Sequence, residues 1–202
     1  MINHEKKITW FVVSTFIGMP LASVMSFILY PPDFSKEFPV YDPDSIMLMV
    51  FGSTLFIAGL TVMGIKLADE KKVLPAAGFT MLAISGAIMM ASIFEISQVV
   101  SLETYEKFYR IQSSGNFLYL PAMYLISSYD DFKKWIRYIG LVSSITLLIA
   151  SVMFLSGNRD FNTLETISNI GFSIMFVTSL SWAYNVYVNY KKQKPKINLS
   201  HT

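Results

Sequence analysis

No cysteine occurs among the 202 residues, so disulfides, thiolate metal sites, cysteine nucleophiles and cysteine-ligated clusters are excluded by inventory. Histidine is nearly absent too. His4 and His201 lie close to the chain ends, which removes histidine-ligated haem, histidine-ligated zinc and Ser-His-Asp hydrolysis from the stretch between them. Every lysine falls at a helix end or in a connection, leaving none for a retinal Schiff base inside an apolar run. No metal or other cofactor is expected. Charge is also scarce: charged residues make up 15% of the chain, where soluble domains reach roughly a quarter. The net charge of +2 is small and its basic residues are dispersed, so a nucleic-acid partner, which needs lysine and arginine gathered on one face, is not expected.

What fills the chain instead is apolar: 53% of residues are hydrophobic and the mean hydropathy is +0.47. One all-α membrane domain over residues 1–190 is the reading, with a basic, disordered cytoplasmic tail at 191–202. Residues 8–30 run for 23 positions without a charge, enough for a hydrocarbon core of ~30 Å at 1.5 Å per residue. Lys6 and Lys7 precede this run as they would in a signal peptide. The run exceeds the usual ~7 to 15 apolar residues, however, and no small-residue cleavage site follows, so it reads as an uncleaved anchor. Further spans are expected at 46–65, 73–100, 114–128, 135–155 and 166–190, the fourth being short and containing Pro121.

Loop lysines and arginines accumulate on the cytoplasmic side of membrane proteins. With six spans and both termini inside, twelve of the sixteen basic residues are cytoplasmic; Lys36, Lys107, Arg110 and Arg159 are the four outside. Removing the fourth span destroys this bias, which predicts six spans in a plasma or bacterial inner membrane. The first outer connection carries Asp33, Glu37, Asp42 and Asp44 with four prolines, which suits a stiff solvated connector or, alternatively, a lid or cation-attracting vestibule. Trp10, Trp135, Trp182 and several tyrosines cluster at span ends as interfacial anchors.

Several constellations bear on function. Ala83, Ala87 and Ala91 form a four-residue stripe that predicts close approach of another helix, in the same bundle or in another protomer. Ser85, Ser92, Glu95 and Gln98 share an arc of the third span, and Glu95 is the one acidic residue inside an expected span. Arg110, Gln112 and Asn116 at the start of the fourth span, Tyr119 below them, and Thr166 and Asn169 at the start of the sixth would complete an outward-facing polar pocket with Glu95 in its wall. Pairing of Glu95 with Arg110, or a hydrogen bond to Gln112, Asn116 or Asn169, is expected on this reading. Pro20 and Pro121 occupy the first helix of each three-helix half, as paired helix interruptions would in an inverted-repeat transporter; independent kinks are the plainer account.

The acidic, proline-containing first outer connection, Phe94-Glu95 near the end of the third span, Ser113-Ser114-Gly115 opening the fourth, and Leu164-Glu165 leading into the sixth resemble small six-helix membrane families. These are a bacterial family of unknown function and the DRAM-like membrane proteins. The resemblance implies a six-helix topology and no catalysed reaction. The leading expectation is a non-enzymatic multi-pass membrane protein whose outward polar pocket or helix face binds a small ligand, a lipid or a partner protein, with membrane lipids and a second copy of the chain or another membrane protein as partners. A small transporter or channel would need a polar path to the cytoplasm, for which the third span offers only Thr80 below Ser85. A lipid-modifying enzyme using Glu95 as acid or base would need a second catalytic group nearby.

Overall fold

A backbone placed in lipid must satisfy its N–H and C=O groups internally, so the apolar runs become helices. A computed structural model describes residues 2–33, 40–96 and 101–199, with side chains for 4–33, 40–95 and 101–192. It contains α1 (Ile2–Leu29), α2 (Pro43–Asp69), α3 (Val73–Ile96), α4 (Leu102–Ile126), α5 (Lys134–Leu155) and α6 (Phe161–Leu199), and no β-strand among the described residues beyond one isolated bridge between Asp33 and Val40. Of these helices, four are long and apolar enough to cross a membrane: His4–Leu29, Pro43–Asp69, Val73–Glu95 and Lys134–Leu155. The protein is therefore helical and membrane-embedded.

Local chemistry sets the helix ends. Asp42 caps α2 by accepting from the Asp44 N–H at 2.8 Å, with Pro43 at the first helical position. Ser101 caps α4 by accepting from the Thr104 N–H at 3.2 Å, and Asp160 does the same for α6 through Thr163. The Ser101 cap explains why α4 is not the short segment expected at 114–128: it begins twelve residues earlier and carries Glu103, Glu106, Lys107 and Arg110 in its first turns. Gly157, at φ +96°, turns the chain between α5 and α6. A basic, disordered tail was expected from residue 191; α6 is described to Leu199, and residues 200–202 lie outside the described chain. Both Pro20 and Pro121 sit inside unbroken helices, so the paired interruptions of a transporter repeat are not present.

The six helices form a closed ring. Each contacts its neighbours in the chain, and α6 returns against α1. One end, here the mouth, carries the α1–α2, α3–α4 and α5–α6 connections; the other, the base, carries α2–α3 and α4–α5. Small residues at seven-residue spacing make the seams. On α3, Gly78 and Ser85 face Ala122 and Gly115 of the antiparallel α4: a Cβ built on Gly78 would lie 2.8 Å from the Ala122 carbonyl oxygen, and Ser85 Oγ donates to the Gly115 carbonyl at 2.8 Å. Gly52 and Gly59 do the same for α2 against α1 at Met19 and Thr15. Ser143 of α5 donates to the Gly171 carbonyl of α6 at 2.8 Å, and Ser179 of α6 donates to the Phe16 carbonyl of α1 at 2.6 Å, which closes the ring. The expected Ala83, Ala87 and Ala91 seam does not form within the bundle. Ala83 is buried, but Ala87 and Ala91 face outward, because glycine at 78 and serine at 85 allow a closer approach on a different face.

In the base half the ring axis is filled by rings. Phe16, Phe56, Phe79, Phe132 and Trp182 come from four helices and the α4–α5 connection, with centroids 5.3 to 6.3 Å apart, and each is 5% exposed or less. Below this plug, Lys72 bridges Glu70 at 3.0 Å and Asp131 at 2.7 Å, and Asn185 donates to the Asp131 carbonyl at 2.9 Å. The Lys72 ammonium holds the Asp131 carboxyl below the usual carboxylate range. The bundle's outer surface is studded with large apolar side chains, among them Phe51, Ile84, Phe117, Val142, Ile149 and Val177. So large an apolar surface needs a lipid or protein cover.

The seams predict a contrast between two substitutions on one helix. Gly78→Val should destabilise the bundle by about 1–3 kcal/mol through overpacking against α4 backbone, whereas Ala87→Leu on the outward face should stay within about 0.5 kcal/mol. Thermal unfolding in a mild detergent checks this, and equal losses at both positions would contradict the seam assignment.

Candidate functional site

Above the plug the ring encloses a cavity of about 490 Å³, within the ~300–1,000 Å³ range of ligand pockets. Met19, Phe56, Leu82 and Met175 line its deep end, next to the plug. Its walls are mostly apolar and rich in methionine, with Met49, Met89 and Met90 beside Phe108, Phe172 and Phe176, a lining that adapts to flexible occupants. Polar groups gather toward the mouth: Tyr41, Tyr105, Tyr109, Gln112, Glu165 and Ser168. Glu165 is the single charged residue among the described lining residues.

The fold fixes Glu165 from three directions. Asp160 caps α6 one turn earlier, its Oδ2 accepting from the Thr163 hydroxyl at 2.6 Å. Arg159 then ties the α5–α6 turn to its neighbours, donating to Glu106 of α4 at 2.9 Å and to the Phe154 carbonyl at 2.8 Å while covering the Phe154 ring. Around the turn, Tyr105 meets Phe161 edge-on at 5.3 Å and Tyr109 stacks on Phe154 at 5.4 Å. Within this frame the phenols of Tyr105, Tyr41 and Tyr109 lie within electrostatic reach of the Glu165 carboxylate. Burial, with the Glu165 carboxylate as a second cause, pushes the Tyr41 phenol far up, so it stays a neutral donor. Ser168, one turn deeper on α6, is 5% exposed and its Oγ has no hydrogen-bond partner among the described residues. A buried hydroxyl on a cavity wall needs a partner, which water or another molecule in the cavity can supply.

The cavity is open on its side. In the base half, α1 and α6 are joined by the Ser179–Phe16 bond, the Phe16–Trp182 contact and the Trp10–Tyr187 contact. In the mouth half, cavity-lining residues of both helices are exposed: Val24, Phe27 and Ile28 on α1, and Asn169 and Ser173 on α6. Their exposure marks a lateral opening between α1 and α6 at a depth where the surrounding surface is apolar.

The residues singled out from sequence are separated by this arrangement. Gln112 and Asn169 line the cavity. Asn116 and Tyr119 are buried in the α4–α5 seam, Asn116 donating to Ser151 at 2.9 Å and Tyr119 lying 3.2 Å from Ser143. Since Ser143 gives its own proton to Gly171, it accepts from Tyr119. Glu95 is absent from the cavity lining and pairs with Lys107 at 2.8 Å, rather than with Arg110, which pairs with Glu106 one turn away on its own helix at 3.3 Å. Gln98 and Glu37 lie outside the described residues. Sequence reasoning missed Tyr105, Tyr109 and Glu165 because it began the fourth and sixth helices too late, and Tyr41 because it lies in the connection before α2. The signals were there: Ser101 and Asp160 at cap positions place all but Tyr41 inside helices.

Comparison with protein-family models, with curated proteins and with solved structures finds no match.

A double-mutant cycle separates the two partners available to Glu95. Glu95→Gln with Lys107→Met should show a coupling of about 0.2–1 kcal/mol, as exposed pairs do, and Glu95→Gln with Arg110→Met should be additive. Coupling to Arg110 and none to Lys107 would contradict the observed pairing.

Proposed function

We infer that this is a non-enzymatic, six-span membrane protein of the plasma or bacterial inner membrane, with both termini cytoplasmic, that binds an amphiphilic ligand in the cavity. The observation that carries this reading is the combination of an apolar, blind-ended cavity with a lateral opening between α1 and α6. A solute taken from water would meet a polar approach from the mouth, whereas a molecule already in the bilayer can slide between two helices, its apolar part entering the methionine- and phenylalanine-lined space. Its polar part stays near Glu165, Tyr105 and Ser168.

The span count is supported by where α4 and α6 keep their polar residues. Gln112, Asn116 and Tyr119 of α4, and Ser168, Thr178, Ser179 and Asn185 of α6, are buried in the bundle. Outward they present Phe117 and Tyr124, and Ile170, Val177, Leu180 and Tyr184. A span whose polar face lines the bundle has a modest average hydropathy and an apolar lipid face. A channel or transporter reading is less well supported, because the plug of Phe16, Phe79, Phe132 and Trp182 occupies the axis below the cavity. An enzyme reading through Glu95 loses its ground with that residue held by Lys107 outside the cavity.

Two measurements test the proposal. Purified from membranes in mild detergent, the protein should carry an extractable amphiphile detectable by native mass spectrometry, and Ser53→Phe, which fills the cavity from α2, should lose it while remaining monodisperse. Retention of the same adduct in Ser53→Phe would place it elsewhere. For topology, Ser156→Cys at the mouth should react with an impermeant thiol reagent in intact cells, and Ser128→Cys at the base only after permeabilisation. The reverse pattern would invert the orientation.

A further inference from the structure

The geometry points to a ligand with a positively charged amine or quaternary ammonium head on a single apolar chain, a cationic amphiphile, held with its head against Glu165 among Tyr41, Tyr105 and Tyr109. This rests on the cavity being a binding site for an amphiphile and adds what that site selects. Glu165 is the one charged group in the described lining, and no lysine, arginine or histidine occurs among the described lining residues. The described basic residues at the mouth are occupied elsewhere: Arg159 and Arg110 by Glu106, and Lys107 by Glu95. A carboxylate drawn partly out of water needs donors and a compensating cation. The phenols of Tyr41, Tyr105 and Tyr109 share the lining with it, and the cation is left for the occupant.

The surroundings suit an organic cation rather than a metal ion. No group of three or more acidic or histidine side chains that could hold a metal occurs among the described residues. The lining around the carboxylate includes the phenol rings of Tyr41, Tyr105 and Tyr109, and the faces of such rings attract ammonium groups, more strongly where water is excluded. Ser168, with an unsatisfied buried hydroxyl one turn deeper, can accept an N–H of a primary amine or donate to a hydroxyl beside it. An anionic head would meet the Glu165 charge. A zwitterionic phosphocholine head would bring a phosphate into a lining without a described cation. The apolar remainder of the ligand runs past Met89 and Phe172 toward the plug.

The test compares heads on one chain length, with the protein in decyl maltoside and binding read by native mass spectrometry and thermal shift. The probes are dodecyltrimethylammonium, dodecylamine, dodecylphosphocholine, dodecyl sulfate and the chainless tetramethylammonium. The first two should bind saturably at one per chain and raise the unfolding temperature. Dodecylphosphocholine should bind about tenfold or more weakly, and neither dodecyl sulfate nor tetramethylammonium should bind measurably. Glu165→Gln, which keeps the size and removes the charge, should weaken the two cations about tenfold. Tyr41→Leu should also weaken them while Tyr41→Phe does not, and this pair keeps the test decisive if the Glu165 variant fails to fold. Equal binding of cationic and zwitterionic probes, unchanged by Glu165→Gln or Tyr41→Leu, would overturn charge selection while leaving an amphiphile cavity. Tetramethylammonium binding as tightly as the long-chain cations would overturn the amphiphile in favour of a water-soluble cation. Failure of every probe, with Ser53→Phe indistinguishable from the parent protein, would overturn the binding cavity itself.

Discussion

Everything in this bundle depends on how closely neighbouring helices can approach. In lipid no hydrophobic force pulls helices together, so association rests on van der Waals contact and on the hydrogen bonds that such contact permits. Glycine and serine at seven-residue spacing supply both. At Gly78 the α4 backbone comes near enough that a single methyl group would collide with it, and at Ser85 the hydroxyl crosses the seam to a carbonyl. The same device joins α5 to α6 through Ser143 and α6 to α1 through Ser179. Because each helix is bound this tightly to only two others, the six close into a ring rather than a layered bundle, and a ring has an axis that must be filled or left open.

The axis is filled at one end only, and the reason lies in side-chain size. In the base half the inward positions carry phenylalanines and a tryptophan, which meet across the axis in edge and stacked contacts. In the mouth half the corresponding α2 and α3 positions carry Ser53, Gly86 and Ser92, too small to reach the centre. The difference in volume becomes the cavity. The plug then makes it blind-ended, and its exposed lining residues on α1 and α6 mark a side opening.

Much of the fold was legible in the sequence: the four longest apolar runs stand out, and each is a helix long and apolar enough to cross a membrane. The site was only half legible. Gln112 and Asn169 were found because polar residues at helix entrances stand out, but Glu95 drew attention as an isolated acid in an apolar run, and its burial depends on helix rotation, which hydropathy does not report. Lys107, counted as a loop charge, proves to be its partner because α4 starts at Leu102. Glu165 was overlooked for the converse reason. Lying among Asn162, Thr163 and Thr166, it looks like loop composition, and only the Asp160 cap and the Arg159 bridge reveal that its carboxylate turns into the ring. The seam at Gly78 and Ser85 was hidden behind the more regular alanine stripe, whose period matches a helix turn but whose outer two members face away from the protein.

The charge arrangement at the mouth gives the structure its chemical direction. Described acids and bases there are matched, Glu95 with Lys107 between α3 and α4, Glu106 with Arg159 between α4 and the α5–α6 turn, and Glu106 with Arg110 within α4. Such exposed pairs add little stability individually. Their consequence is positional: with the neighbouring bases engaged on the rim, the carboxylate facing the interior meets phenols instead of cations. A mutation that freed Arg159 would therefore do more than loosen a turn. It would release a guanidinium close to the start of α6, where it could compete for Glu165, so under the proposed reading the rim pairs protect the selectivity of the site they surround.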